Sequence, residues 1–327
     1  MIKSLLFGLL TAVLLIAIPF APAQQPAKIP RIAYLAATAR STNPDRFEAF
    51  RRGLRELGYV EGKNIIIEWR FADGKADRLR ALAAELVRLK VDVIVSGGST
   101  ATRPAKSATS TIPIVMAQDN DPIANGFVVS LARPGGNITG LATLRSEVSG
   151  KRLELLKEIV PKLSRVAVLG SSTNPGNVES LKEVELAAAA LGVQLQVVDV
   201  KGPRDLDSGF EQAAKGRADA ALVLAGPVFN VQRSQVVELA VKNRLRAIYD
   251  RRDFPELGGL MSYGTNVVEL DHRAATYVDK ILKGAKPAEL PVEQPIKFEF
   301  VINLKAAKQV GLVIPPNVLA RADRVIK

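Results

Sequence analysis

The chain has 327 residues, a formal net charge of +12, no cysteine and a single histidine. That length suggests two domains with separate cores, and the composition excludes disulfides, thiol nucleophiles and cysteine-ligated metals and argues against a zinc site. The basic residues alternate with acids on helix faces, as in Arg51-Arg52-Gly53-Leu54-Arg55-Glu56, which reads as solvated surface rather than a nucleic-acid footprint.

Residues 1–23 read as a cleaved secretory signal. Lys3 gives a positive start, residues 5–20 carry no charge, and Ala21-Pro22-Ala23 offers a small-x-small cleavage pattern. As a membrane anchor the run is short, contains Pro19 and lacks a basic stop. The mature chain is expected to start near Gln24 with a charge of +11, since Lys3 leaves with the signal (12 − 1). No cysteine stands at the cleavage point to carry a lipid. A soluble monomer in the periplasm, without nucleic-acid partners, is the expectation.

From residue 31 the pattern alternates strand and helix. Strands are predicted near 31–36, 64–70, 91–96 and 112–117. Helices are predicted near 44–57, with Phe47, Phe50, Leu54 and Leu57 on one face, near 76–89, and from Ser99 onward. Val91-Asp92-Val93-Ile94-Val95 is nearly continuously apolar, which suits a parallel strand covered on both faces. The order then repeats. Strands fall near 165–170, 193–199, 219–224 and 246–249, with helices near 176–191, 205–215 and 229–243. The repeat reaches individual residues. Arg31-Ile32-Ala33-Tyr34-Leu35 precedes Ser41-Thr42-Asn43-Pro44, and Arg165-Val166-Ala167-Val168-Leu169 precedes Ser172-Thr173-Asn174-Pro175. Each copy is an apolar strand, a polar loop and a Pro-opened helix.

The predicted fold class is therefore α/β: two similar, doubly wound parallel-sheet lobes. Arg133-Pro134-Gly135-Gly136-Asn137-Ile138-Thr139-Gly140 marks the boundary. Lobe one is read as 24–140 and lobe two as 141–263. A strand near 260–263, a helix near 267–283, a strand near 297–303 and short final helices follow. Part of 264–327 is expected to return to lobe one, which makes a multi-strand hinge and permits closure.

Several segments resemble a known family. They are Gly53-Leu54-Arg55-Glu56-Leu57-Gly58-Tyr59, Thr111-Ile112-Pro113-Ile114-Val115, Ser130-Leu131-Ala132-Arg133-Pro134-Gly135-Gly136-Asn137, Gly258-Gly259-Leu260-Met261-Ser262-Tyr263-Gly264 and Ile302-Asn303-Leu304-Lys305. Together they resemble the substrate-binding proteins of ABC transporters with the type I periplasmic binding fold, in the subgroup that includes aromatic amino-acid binders. The resemblance spans nearly the whole mature chain. It implies a small-molecule solute as ligand and an ABC permease of the inner membrane as partner, with no cofactor or metal.

Ligands of open α/β sheets bind beyond the carboxyl ends of the strands. That rule selects 37–43 (with Thr38), 97–102 and 117–121 in lobe one, and 171–177, 226–230 (with Pro227) and 250–253 (with Asp250) in lobe two. Ser96-Gly97-Gly98-Ser99-Thr100-Ala101-Thr102 is the sharpest. Gly98 permits a tight turn and close approach, and Ser99 and Thr100 open a helix that can receive a carboxylate or serve only as its cap. The resemblance likewise implies a ligand carboxylate on such a helix start. Gln118 and Asp119 can face a ligand ammonium or hydroxyl, whereas Asp121 reads as a cap before Pro122. Ser171, Asn174 and Asn177 supply lobe-two donors, although Ser and Asn also serve turns. Tyr263 either stacks on a ligand or packs at the crossover. Trp69 reads as packing.

Enzyme readings are weaker. Gly97-Gly98-Ser99-Thr100-Ala101 nearly matches a nucleophile elbow, with Asp250 and His272 later in order, but Ala replaces the final glycine and duplicated lobes do not suit a hydrolase sheet. Gly58 to Gly62-Lys63 misses P-loop spacing. The expected function is that of an extracytoplasmic solute receptor of an ABC importer, binding an amino acid or related carboxylate. A same-fold sensor for a membrane signalling partner is the alternative, and a secreted serine hydrolase a more distant one.

Overall fold

The computed structural model describes residues 28–144, 147–174, 176–295 and 297–327. The signal segment 1–23 and the start near Gln24 lie outside the described residues.

The first sheet has five parallel strands in the order β2-β1-β3-β4-β5: β1 Arg31–Ala36, β2 Ile66–Phe71, β3 Val93–Ser96, β4 Ile114–Asp119 and β5 Ile138–Ala142. Its helices are α1 Pro44–Glu56, α2 Ala76–Arg88 and α3 Ser99–Ala108. The near-continuous apolarity of β1 has a simple origin. Ile32, Tyr34 and Ala36 enter one core, and Ala33 and Leu35 enter another on the opposite face. A strand buried on both sides cannot show the alternation of a half-exposed one.

The second sheet repeats the plan and extends it, in the order β12-β11-β10-β9-β8-β6-β7. Glu147–Ile159 (α4) leads to β6 Arg165–Gly170, α5 Asn177–Leu191, β7 Gln194–Asp199, α6 Leu206–Lys215 and β8 Ala220–Val223. Then come α7 Pro227–Val231, α8 Arg233–Lys242, β9 Arg246–Tyr249, α9 Asp253–Glu256 and β10 Met261–Thr265. The order β2-β1-β3-β4 of the first sheet reappears as β7-β6-β8-β9.

After β10 the chain returns to the first sheet as α10 Val267–Leu282, which packs along α1. Beyond it, Thr139 Oγ1 donates to Leu290 O at 2.6 Å and Ala142 N to Glu293 O at 2.8 Å. The chain then crosses back to β11 Phe298–Asn303, α11 Leu304–Gln309, α12 Pro316–Leu319 and β12 Arg324–Ile326. β11 runs antiparallel to β10. The crossing segments touch: Thr265 Oγ1 donates to Thr143 O at 2.6 Å.

The expected strands and helices stand within about two residues of their predicted limits, with two exceptions. The helix expected over 229–243 is two helices separated at Gln232. The Gly/Pro-rich boundary contains a strand, β5, whose Gly140 reads locally as punctuation. The pairing Ile114↔Ile138 and Val115↔Thr139 with β4 holds it extended. Among the described residues no helix is long and apolar enough to cross a membrane.

Candidate ligand-binding site

The carboxyl ends of both sheets face one cavity of about 70 Å³. Lobe one contributes Ala37, Thr38 and Asn43 after β1, Arg46 on α1, Gly97 to Thr100 at the start of α3, and Gln118 and Asn120 at the end of β4. Lobe two contributes Asn174, Gly176, Asn177 and Ser180 around the start of α5, Ala225 to Pro227 and Asn230 around α7, and Arg251 after β9. The amino ends of α1, α3 and α5 all reach this wall. Their first N–H groups lack partners within the helix and carry partial positive charge.

Each polar group has a local reason for its place. Gly98 holds φ +104°, which a side chain would strain, and its carbonyl accepts from Ala101 and Thr102 N–H to start α3. Ser99 Oγ donates to Asp119, and Thr102 Oγ1 donates to the other Asp119 oxygen at 2.5 Å. The Ser99 hydroxyl proton is thus committed to Asp119. A ligand at this helix start meets the backbone N–H groups and Thr100 instead. In lobe two, Asn174 Nδ2 and Asn177 Nδ2 both donate to Ala225 O, at 2.6 and 2.8 Å, which ties the loop before α5 to the loop before α7.

Arg46, 5% exposed, is one of two buried cations of the wall. Its Nε donates to Asp271 Oδ2 at 2.6 Å, its Nη2 to the Tyr34 hydroxyl at 3.2 Å, and Tyr34 in turn donates to Asp271. Burial works against the Arg46 charge, but the Asp271 carboxylate and the Tyr34 hydroxyl outweigh it and hold the guanidinium above its ordinary value. Burial, reinforced by the Asp271 charge, pushes the Tyr34 hydroxyl well above the usual tyrosine range.

The two rims also touch. Arg251 Nη2 donates to Asn43 Oδ1 at 2.9 Å, and Asn120 Nδ2 donates to Gly176 O at 3.3 Å. The cleft is closed.

Of the residues singled out from sequence, Thr38, Gly98, Ser99, Thr100, Gln118, Asn174, Asn177 and Pro227 line the cavity. Four do not. Asp119 is fully buried behind Ser99 and Thr102. Ser171 lies beneath the wall, its N–H on Asn177 Oδ1 at 2.7 Å and its hydroxyl against Thr173. Asp250 is buried off the wall at the end of β9. Tyr263 packs on Phe298 and Phe300 at the lobe crossover. Asn43, Asn120, Asn230 and Arg251 fall within the loops chosen from sequence but were not singled out. Arg46 and Ser180 escaped because they sit on helices, and only their first-turn positions near strand ends could have pointed to them.

The elbow-like Ser99 meets no histidine. His272 Nε2 instead bonds Glu56 at 2.9 Å across α1 and α10. Trp69 stacks among Tyr34 and Phe71 within a lobe-one core, away from the cavity wall. Among the described residues no cluster of histidine and carboxylate groups is arranged to hold a metal ion.

Comparison with known proteins follows the same lines. A model of the family described as "ABC transporter substrate binding protein" matches residues 41–326. A "Tyrosine-binding protein" of Clostridioides difficile (strain R20291) is 28% identical over 269 residues, covering 81% of this chain and 76% of that protein. The crystal structure of an ABC domain in complex with L-Trp from "Streptococcus pneumonia" superposes with a TM-score of 0.86 at 26% identity, covering 91% of this chain and 99% of the other. A conserved domain protein from Vibrio cholerae O1 biovar eltor superposes with a TM-score of 0.87 at 28% identity, covering 91% of this chain and all of that one. The fold is the type I periplasmic binding fold, and the role that goes with it is binding rather than catalysis. The chain belongs to the ABC transporter substrate-binding protein family.

Proposed function

We propose that this chain is the periplasmic receptor of an ABC importer, that it closes its two lobes on a small polar solute (an amino acid or related carboxylate), and that the closed form is what an inner-membrane permease recognises. The observation that carries the reading is the cavity where the helix amino ends of both lobes meet. Such ends supply fixed N–H donors and partial positive charge, the usual surroundings of a carboxylate. Loops 97–100 and 118–120 supply the lobe-one half, and loops 174–177 and 226–230 the lobe-two half. The crossings beside β5, β10 and Glu293 act as the hinge, with lobe one ending near residue 140. Ligand contacts that bridge both rims shift the population toward the closed form.

A thermal-shift screen of the purified mature chain over amino acids, organic acids and sugars tests this. Stabilisation by one or a few carboxylates is expected. No stabilisation by any member, or stabilisation by neutral sugars alone, overturns it.

A further inference from the structure

The cavity wall is chemically unusual for a receptor related to aromatic amino-acid binders. Among the described residues that line it, none carries an aromatic ring or a branched aliphatic chain, and none carries a carboxylate. The only apolar side chains are those of Ala37, Ala225 and Pro227. Ligand pockets usually present mostly apolar and aromatic walls with a few placed polar groups; here the proportions are reversed. An indole or phenol side chain would find no ring face and little apolar surface to pack on.

A second, independent feature points to an anionic group. Arg251 is 5% exposed and lines the cavity from lobe two. Its Nη2 is held by Asn43 and by Asp253. Its Nε–H is buried and has no hydrogen-bond partner among the described residues. A buried guanidinium N–H without an acceptor is costly, and an incoming carboxylate oxygen would satisfy it with a charge-assisted bond. Across the cavity stands the amino end of α3, a helix of ten residues. The nearest carboxylate behind that end, Asp119, is turned to Ser99 and Thr102 and stands off the wall.

We propose that the ligand is an aliphatic carboxylate with further hydroxyl or carboxyl groups, and not an aromatic amino acid, with its carboxylate set between the α3 amino end and Arg251 Nε. This rests on the receptor reading above and narrows it. The absence of a lining carboxylate also favours hydroxy- and dicarboxylic acids over ligands that carry an α-ammonium. Arg251 is thereby a binding residue as well as a contact between the rims.

The test is calorimetric titration of the mature chain with L-malate, succinate and D-gluconate, beside L-Tyr and L-Trp. Each acid that binds is repeated as its amide. At least one aliphatic acid is expected to bind, at least tenfold tighter than its amide and than either aromatic amino acid. In Arg251→Gln the acid should bind at least tenfold more weakly, and the preference for acid over amide should collapse. In Asn43→Ala, which removes the rim contact but keeps the guanidinium, affinity should fall while the acid preference persists. Binding of L-Tyr or L-Trp at least as tight as that of the acids overturns the inference and leaves the receptor reading standing. An unchanged acid preference in Arg251→Gln overturns the role of Arg251. If none of these acids and neither aromatic amino acid binds, the inference falls, and the receptor reading stands or falls by the thermal-shift screen.

Discussion

At the scale of single residues, the Tyr34–Arg46–Asp271 cluster shows how a cavity wall is held in place. Arg46 is 5% exposed and Asp271 fully buried, so neither charge is tolerable without the other. Asp271→Asn should destabilise the protein by about 3–5 kcal/mol, the cost of a buried ion left without its partner. A lowered urea midpoint at unchanged slope would record it. The same burial sets an alkaline limit. Tyr34, Tyr249 and Tyr277 are each pushed upward, first by burial, with Asp271 adding to the effect at Tyr34 and Glu293 at Tyr277. The unfolded chain ionises these hydroxyls near pH 10 while the folded chain keeps their protons. Above that pH the folded state binds more protons, so stability falls as pH rises, from about pH 10 upward. Absorbance at 295 nm should show these three titrating together with the loss of near-ultraviolet circular dichroism. Independent titration of all tyrosines in a folded protein would contradict it.

At the scale of elements, α10 links the fold to the site. It belongs to the chain between two strands of the second sheet, yet it packs on α1 of the first and carries Asp271 to Arg46. Its start is fixed by Asn266, whose side-chain oxygen accepts from Val268 N at 3.1 Å and Glu269 N at 3.2 Å. Asn266→Ala should cost about 1 kcal/mol, as the loss of an N-cap does. Hydrogen exchange should quicken in the first turn of α10 and leave α8 untouched. The elements themselves were largely legible in the residues. The apolar runs of β1, β3 and β6 and the spaced leucines of α2 announce themselves, because each depends on burial that its own sequence encodes. β5 was not legible, since Gly140 interrupts its pattern and only pairing with β4 extends it. The break at Gln232 was also invisible, because Pro227 opens a short helix that the apolar spacing alone would have run into α8.

At the scale of the whole molecule, closure depends on how nearly the rims can approach. A Cβ added at Gly176 would stand 2.7 Å from Asn120 Nδ2, the group that bonds the Gly176 carbonyl across the cleft. Gly176→Ala must therefore displace that amide or separate the rims. Loss of one such hydrogen bond corresponds to about 1 kcal/mol in favour of the open form. A larger radius of gyration by small-angle scattering is expected. Gly202→Ala, whose Cβ would meet nothing within 4 Å, should leave that radius unchanged.

The residues by themselves settled what depends on neighbours in the chain. They gave the duplicated strand-loop-helix units, the parallel sheets and the loops at the strand ends, since period and turn chemistry are written within a few positions. They also placed eight of the twelve chosen residues at the cavity, because the ends of parallel strands share one side of a sheet. What the tertiary structure decided was which side chains of those loops face inward, and which distant partners hold them. Arg46 finds Asp271 at a separation of 225 residues, and Arg251 finds Asn43 at 208. No local pattern encodes such pairings. They exist because a returning helix brings a carboxylate to Arg46 and a closed cleft brings an amide oxygen to Arg251, in places where a cation without partners would be too costly to bury.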